Sequence, residues 1–216
     1  MDLRDIYSRL LSYFGPQGWW PAETPYEVVV GAILTQNTSW RNVERAIDNL
    51  KRNNLLDERK ILNTPLGRLG DLIRPAGFYN IKSRRLKNIT EYIVNNYGST
   101  EELRRCDKNL YRLRKELLSL KGIGRETADT ILLYSLDRPI FVVDNYTKRI
   151  FSRYGIIDKN LDYDKIRTFF EGSIPRDVEI YKEYHALIVQ LGKTFCKKRY
   201  PKCVDCPLFE GCKRLI

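Results

Sequence analysis

The sequence predicts an all-α protein, and three observations support this prediction. Apolar residues recur at the three- and four-residue spacing of a helix face along most of the 216 residues. No segment alternates polar and apolar residues with the period of two that an amphipathic strand requires. Gly, Pro and Asn separate the helix-length segments, as is typical of connectors. We therefore expect a helical fold without a fixed-period repeat.

The helical segments follow one another along the whole chain. The first spans 3–14, and the stretch from Gly15 to Gly18 ends it. The next, 26–34, contains three consecutive valines and is also compatible with a buried strand, but Thr24-Pro25 before it is typical of a capped helix. The remaining predicted helices are 39–50, 66–72, 83–97, 110–120, 126–136, 145–154, 163–170 and 180–194.

The 216 residues are enough for one large core or for two lobes that share an interface, and the succession of helices reads as one compact unit. No stretch approaches the ~20 apolar residues of a membrane span. The chain start lacks the basic and apolar segments of a secretion signal, so we expect a cytoplasmic or nucleoid-associated monomer with no membrane partner.

The charge balance favours a polyanionic partner. Lys and Arg total 38 against 27 Asp and Glu, which gives a formal net charge of +11. Such an excess is typical of proteins that bind nucleic acid, which we rank first, and anionic membrane surfaces come second. A basic protein without a polyanionic partner is the alternative.

A glycine-containing hairpin lies between the predicted helices 110–120 and 126–136. Two glycines permit a tight turn, and the amides and positive dipole end of the helix that follows can face a phosphate. An ordinary turn between antiparallel helices has the same pattern. The residues of the predicted phosphate contact are Lys121, Gly122, Ile123, Gly124 and Arg125.

An acidic residue follows about 20 positions after the hairpin, at the end of the apolar run Phe141-Val142-Val143-Asp144. The order of the glycine hairpin, Thr127-Ala128 and Val-Val-Asp resembles the signature of the endonuclease III superfamily of DNA glycosylases, over nearly the whole chain. The resemblance implies a two-lobed helix-hairpin-helix fold, for which we expect a central lobe over 24–136 and a second lobe that combines 1–23 with 137–216. It also implies that double-stranded DNA lies between the lobes, with Asp144 as the catalytic aspartate. Asp144 also suits the N-cap of the next helix, and both roles are compatible.

Four of the five cysteines crowd the C-terminus with six, two and five residues between them: Cys196, Cys203, Cys206 and Cys212. Four thiolates in a short loop can hold a [4Fe-4S] cluster, whereas zinc sites usually combine two short spacings and only Cys203 and Cys206 form one. The spacing is similar to the cluster loop of the same superfamily. The loop 196–212 also carries the cations Lys197, Lys198, Arg199 and Lys202, which suit phosphate contacts or a solvated loop. The fifth cysteine, Cys106, is expected to be a buried or idle thiol.

The chemistry that this resemblance implies is hydrolysis of an N-glycosidic bond. A carboxylate near C1′ stabilises the cationic sugar of the transition state. Bifunctional relatives have a nucleophilic lysine after the hairpin, where this chain has Glu126, so we expect a monofunctional enzyme with weak or absent lyase activity. Lys121 or Lys148 could substitute as the amine. Glu126 is expected to act at the catalytic site with Asp144 by adding negative potential, and a solvated acid in the first helical turn is the alternative.

The base pocket is predicted at Trp19, Trp20 and Pro21, which resemble the 3-methyladenine glycosylase branch. Indole faces attract electron-poor or cationic purines, although core packing is the alternative role. In the family pattern Gln36 fills the gap left by the extruded base and Phe78 is the wedge, unless Phe78 is plain core. His185 shows no visible partner and is expected to be structural. Oxidised pyrimidines, mismatched thymine or uracil, and non-catalytic lesion binding are the alternative functions.

Overall fold

The computed structural model describes residues 2–216, and within this range it contains helices and no strand. The all-α prediction is confirmed. The α-helices of the described range are α1 (Leu3–Phe14), α2 (Pro25–Leu34), α3 (Trp40–Arg52), α4 (Glu58–Asn63), α5 (Leu66–Leu72), α6 (Tyr79–Tyr97), α7 (Thr100–Arg105), α8 (Leu110–Ser119), α9 (Arg125–Thr130), α10 (Asn145–Tyr154), α11 (Tyr163–Ser173) and α12 (Val178–Thr194).

The chain divides into two compact units. The mid-chain unit, Ala22–Arg138, contains α2 to α9, and the terminal unit combines Met1–Pro21 with Pro139–Ile216 and contains α1 and α10 to α12. Over residues 2–216 no helix is both long and apolar enough to cross a bilayer.

Helix α2 shows how a cap decides between helix and strand. The hydroxyl of Thr24 accepts the backbone N–H of Glu27 at 3.1 Å, and Pro25 occupies the first helical position. Both features suit a helix start, since Pro lacks an N–H that would otherwise need a partner there. The valine run is therefore helical, and the helix is buried nearly all round in the mid-chain unit.

Helix α6 starts at Tyr79, four residues before its predicted start. Phe78 precedes it in the left-handed region, with φ of 46°, and a 3₁₀ turn at Arg74–Ala76 leads into it. The first turn of α6 buries Lys82 and Ser83. Because polar residues occupy these buried positions, hydrophobic periodicity does not reveal the helix start.

The segment predicted as one helix over 126–136 changes geometry halfway. Helix α9 passes into a π-helical turn at Ile131–Ser135, whose five residues are all buried. The hydroxyl of Ser135 donates to the carbonyl of Pro25 at 2.8 Å and so ties this turn to the start of α2. A π turn widens the helix locally and is often found near functional sites.

Aromatic rings form the core of the terminal unit. Phe141 stacks on Phe170 with centroids 4.4 Å apart, and Tyr181 and Tyr184 meet Phe141 edge-on. Phe141 belongs to the buried segment 140–143, which leads directly into α10. Asp144 is the next residue, so the aromatic packing fixes the position of its backbone.

Candidate functional site

Asp144 is the N-cap of α10. Its Oδ1 accepts the backbone N–H of Thr147 at 2.7 Å and the Thr147 hydroxyl at 2.9 Å. The expected capping role is confirmed, and the two bonds fix one carboxylate oxygen while leaving the orientation of Oδ2 to other neighbours. Only 12% of the side chain is exposed.

His185 lies beside that second oxygen. Its Nε2 is 3.7 Å from Asp144 Oδ2, within ion-pair range although longer than a direct hydrogen bond. Burial alone would raise the pKa of Asp144, but His185 and the donors of Thr147 outweigh it and hold the pKa below its ordinary value. The expectation that His185 has no partner is wrong, because the fold brings α12 against the start of α10.

The same histidine contacts the predicted base pocket. The Trp19 ring is nearly parallel to His185, with centroids 5.7 Å apart, and to Trp20, with centroids 5.4 Å apart. The ammonium of Lys193 is 5.8 Å from the Trp19 centroid. Both indoles are half-buried, and Pro21 after them is exposed.

Helix α12 also anchors the backbone before the tryptophans. A carboxylate oxygen of Glu183 accepts the N–H of Gln17 at 2.6 Å, and the other accepts that of Gly18 at 3.4 Å. Charge-assisted bonds of this kind are stronger than neutral ones. Side chains of α12 therefore hold both the aromatic segment and Asp144.

The predicted hairpin forms between α8 and α9. The N–H of Ile123 donates to the carbonyl of Leu120 at 3.1 Å, and Gly122 has a φ of 92°, which an L side chain rarely adopts. Ile123 is buried, whereas Lys121, Gly124 and Arg125 are exposed. Gly124 caps α9, so the first amides of that helix lack intrahelical acceptors and point towards solvent or a ligand.

Both ends of the Gln36 amide are hydrogen-bonded, the nitrogen to the hairpin and the start of α9 and the oxygen to α6. Its Nε2 donates to the carbonyl of Gly122 at 3.1 Å and to the hydroxyl of Thr127 at 3.0 Å, while its Oε1 accepts from Arg85. Arg85 itself lies over Gly122, since a Cβ built there would be 2.5 Å from Arg85 Nε. The hairpin, Gln36 and Arg85 therefore form one hydrogen-bonded group.

Phe78 is 66% exposed, so the alternative that it belongs to the core is wrong. Phe78 occupies the left-handed turn before α6, and Ile81, which is 50% exposed, lies about one helical turn further along. Glu126 is exposed in the first turn of α9 and belongs to the mid-chain unit, whereas Asp144 belongs to the terminal unit.

The four C-terminal cysteines line one concavity of about 360 Å³, counting space open to solvent. All are free thiols. Burial, together with the charges of the other three cysteines, raises the pKa of Cys206 to about 11. Among residues 2–216 no three His, Cys, Asp or Glu side chains converge closely enough to ligate a single metal ion.

Two arginines of α10 hold the start of the cysteine loop. Arg149 Nε donates to the carbonyl of Cys196 at 2.9 Å, and Arg153 donates to the carbonyls of Lys197 at 2.7 Å and Lys198 at 3.1 Å. The helix that begins at Asp144 is thus bonded to the loop. The four predicted loop cations, Lys197, Lys198, Arg199 and Lys202, are all exposed.

The chain is similar to known proteins along most of its length. Residues 30–176 match the family model of the HhH-GPD superfamily of base excision DNA repair proteins. A protein of Methanocaldococcus jannaschii, provisionally named a DNA repair glycosylase, is 62% identical over 207 residues, which cover 96% of this chain and 94% of that protein.

Solved structures agree on the fold. The structure of H. pylori 3-methyladenine DNA glycosylase bound to 1,N6-ethenoadenine has a TM-score of 0.78 and 30% identity, and covers 89% of this chain and 98% of its own. A non-covalent endonuclease III–DNA complex has a TM-score of 0.83 with 22% identity, over 98% of this chain and 94% of that one.

The class of protein is therefore a DNA glycosylase of base excision repair. The chain belongs to the HhH-GPD superfamily, and the resemblance that the hairpin and the Val-Val-Asp motif indicated is confirmed.

Proposed function

We propose that this glycosylase is monofunctional and hydrolyses the bond between deoxyribose and an alkylated purine such as 3-methyladenine. The observation that carries the proposal is the nearly buried carboxylate of Asp144, which accepts from Thr147 and faces His185, the residue whose ring stacks on Trp19.

In the proposed reaction the base departs with the electron pair of the C1′–N bond. The sugar becomes cationic, and the Asp144 carboxylate stabilises it electrostatically. Water then adds at C1′ and transfers a proton to the carboxylate, which leaves an abasic site. A pKa below the ordinary value keeps Asp144 ionised before each turnover.

The aromatic pair supports an alkylated purine as the substrate. Alkylation makes a purine electron-poor or cationic, and indole faces attract such rings by stacking and cation–π contacts. Trp19 and Trp20 are half-buried and nearly parallel, which suits a surface on which a base can stack. The similar H. pylori enzyme is a 3-methyladenine glycosylase.

The residue after the hairpin supports hydrolysis without strand cleavage. A lyase needs an amine that forms an imine with C1′, and the carboxylate of Glu126 cannot do so. We assign to Glu126 a contribution to the negative potential that favours a cationic base.

The DNA contacts that we propose are of two kinds. The hairpin residues Lys121 to Arg125 and the four loop cations contact phosphates, which positions the enzyme without reading sequence. Gln36 and Phe78 insert into the duplex and offset the unstacking of the extruded base, which costs a few kcal/mol.

The cysteine loop fits a [4Fe-4S] cluster. Four thiols surround one concavity, and the raised pKa values of Cys206 and Cys212 reflect a site that disfavours unneutralised thiolates. A cationic metal centre reverses this preference, since coordinating thiols are deprotonated. We propose that Cys196, Cys203, Cys206 and Cys212 hold the cluster, which supplies a structural cross-link that fixes the basic loop.

The decisive experiment compares Asp144→Asn with the wild type on duplexes that each carry one lesion. Asn is as good an N-cap as Asp, so the helix is retained. We expect base release from alkylated purine duplexes to fall by at least about 100-fold, with DNA affinity unchanged. Asp177→Asn is the matched control, because Asp177 caps α12 in the same unit by accepting the N–H of Ile180 at 2.9 Å.

Four outcomes contradict the proposal or a part of it. Equal rates for Asp144→Asn and wild type would exclude the aspartate, and lesion binding without base release by the wild type would favour a non-catalytic binding protein. Faster release of oxidised pyrimidine, thymine or uracil would reassign the substrate. A protein–DNA adduct trapped by borohydride would show a lyase.

A further inference from the structure

Lys82 is a buried lysine, and only 1% of its surface is exposed. Its ammonium donates to the carbonyl of Leu34 at 2.8 Å and to the carbonyl of Ala76 at 2.7 Å. Each acceptor lies two positions before a residue of the proposed duplex contact: Leu34 before Gln36, and Ala76 before Phe78.

Such a group is not a neutral filler of the core. Burial and the nearby Arg85 lower the pKa of Lys82 to about 8, so the fold keeps a costly charge in place. The compensation is a pair of charge-assisted hydrogen bonds, through which one ammonium group bridges the backbone segments of Leu34 and Ala76. An apolar side chain of similar length would fill the space but would leave both carbonyls without this donor.

Arg85 extends the bridge by one helical turn. It lies on the same face of α6 as Lys82, three residues further on, binds Gln36 Oε1 and covers Gly122 of the hairpin. The side chains of Lys82 and Arg85 thus join three parts of the unit: the Gln36 segment, the turn before Phe78 and the hairpin.

We propose that Lys82 and Arg85 are positioning residues that fix the separation of Gln36, Phe78 and the hairpin, so that both inserted side chains enter the duplex in register with the phosphate contact. Neither residue touches the reacting atoms. This inference rests on the proposed function, because it takes Gln36 and Phe78 as the inserted residues.

The physical reason is pre-organisation. Insertion offsets unstacking only if both side chains reach their places together, and a misplacement of about 1 Å can lower a rate by about 100-fold. The carbonyl of Phe78 accepts the N–H groups of Ile81 and Lys82, each at 3.0 Å, so the left-handed turn is fixed to the start of α6. Gln36 lies on a different segment, which the side chains of Lys82 and Arg85 tie to the same helix.

The test uses Lys82→Met and Arg85→Met in the full-length protein. Base release is measured in single turnover from one lesion in duplex DNA and in the corresponding single strand, where no partner strand must be displaced. We expect the duplex rate to fall about 10-fold or more for each variant, and the single-strand rate to fall by less than about 3-fold.

Lys87→Met is the matched control. Lys87 is also on α6 and also donates to a backbone carbonyl, that of Leu62 at 2.7 Å, but this segment carries no proposed duplex contact. We expect its duplex and single-strand rates to stay near those of the wild type. Thermal unfolding of all variants separates lost stability from lost positioning, and Arg85→Met, which is only half-buried, serves if Lys82→Met does not fold.

A fluorescent 2-aminopurine beside the lesion reports extrusion without base release. Smaller fluorescence amplitudes for Lys82→Met and Arg85→Met than for Lys87→Met support the inference, even if the proposed chemistry is wrong. Wild-type amplitudes in both variants overturn it, as do equal losses on duplex and single strand. Phe78→Ala is also combined with Lys82→Met or with Arg85→Met. Additive losses in the duplex rate overturn the inference as well, because the effects of residues that act through one another do not add.

Discussion

At the scale of single residues, the two oxygens of Asp144 have different environments. Oδ1 is bound by the helix that it caps, and Oδ2 faces His185 across 3.7 Å. The cap explains the position of the carboxylate, and the histidine contributes to its ionisation. These two effects can be separated by substitution.

His185→Phe keeps a ring against Trp19 and removes the nitrogen that faces Asp144. Because His185 lowers the pKa of Asp144, its loss raises that pKa, and less of the carboxylate is ionised at acid pH. We expect the acid limb of the pH–rate profile for base release to move to higher pH, and the maximal rate to fall about 10-fold. The measurement is the single-turnover rate between about pH 4 and pH 8.

His185→Gln is the companion variant, since it restores a donor without the ring. A return of the acid limb towards the wild-type position is expected. Coincident profiles for wild type and His185→Phe would show that the histidine has no influence on the carboxylate.

The sequence predicted Asp144 but not its neighbour. A carboxylate after a buried apolar run and before a helix is a local pattern, so both of its roles could be read from adjacent residues. The contact with His185 joins α10 and α12, which are far apart in the chain, and no local pattern encodes it. Lys82 was missed for a similar reason, because a buried lysine looks like an interruption of the apolar face.

At the scale of elements, the hairpin is the most constrained turn of the mid-chain unit. Gly122 combines a positive φ with the stem of Arg85 lying against it. A methyl group there must displace Arg85, and with it the acceptor end of Gln36.

Gly122→Ala is therefore expected to weaken duplex binding about 10-fold and to destabilise the protein by about 1–2 kcal/mol. Gly67→Ala is the control, because Gly67 lies in α5 with open space at its Cβ. That variant should be neutral or slightly stabilised, since Ala is the better helix former. Binding titrations and denaturant unfolding measure both effects, and equal behaviour of the two variants would contradict the hairpin's role.

Three helices were predicted to the residue, although only α1 and α10 among them have a side-chain cap. The predicted segments 3–14, 66–72 and 145–154 coincide with α1, α5 and α10. The helices α4 and α7 were missed, since each has six residues and is too short to show periodicity. The π turn after α9 was missed because it continues the same apolar pattern.

At the scale of the whole molecule, four of the 38 Lys and Arg residues lie close together on the cysteine loop. Four cations of the cysteine loop are exposed, and Arg149 and Arg153 bind its backbone. A metal cluster bound by the four cysteines would fix the backbone of the loop and therefore the spacing of its four cations.

Cys206→Ser is expected to lose iron and to lower DNA affinity. The slope of log affinity against log salt should decrease by about one for each phosphate contact that the loosened loop no longer makes. Cys106→Ser, outside the loop, should keep its iron and its slope. Iron analysis and salt titrations provide the measurements, and an unchanged iron content in Cys206→Ser would exclude this ligand set.

The carboxylate of Glu183 grips the main chain at Gln17 and Gly18, not the side chains that follow. The bonds involve the main chain of residues 17 and 18, so they do not depend on which side chains occupy positions 19 and 20. Under the proposed function, natural variation or laboratory evolution can therefore change which lesion is accepted by changing the two adjacent codons of Trp19 and Trp20, while the backbone anchor before them stays intact.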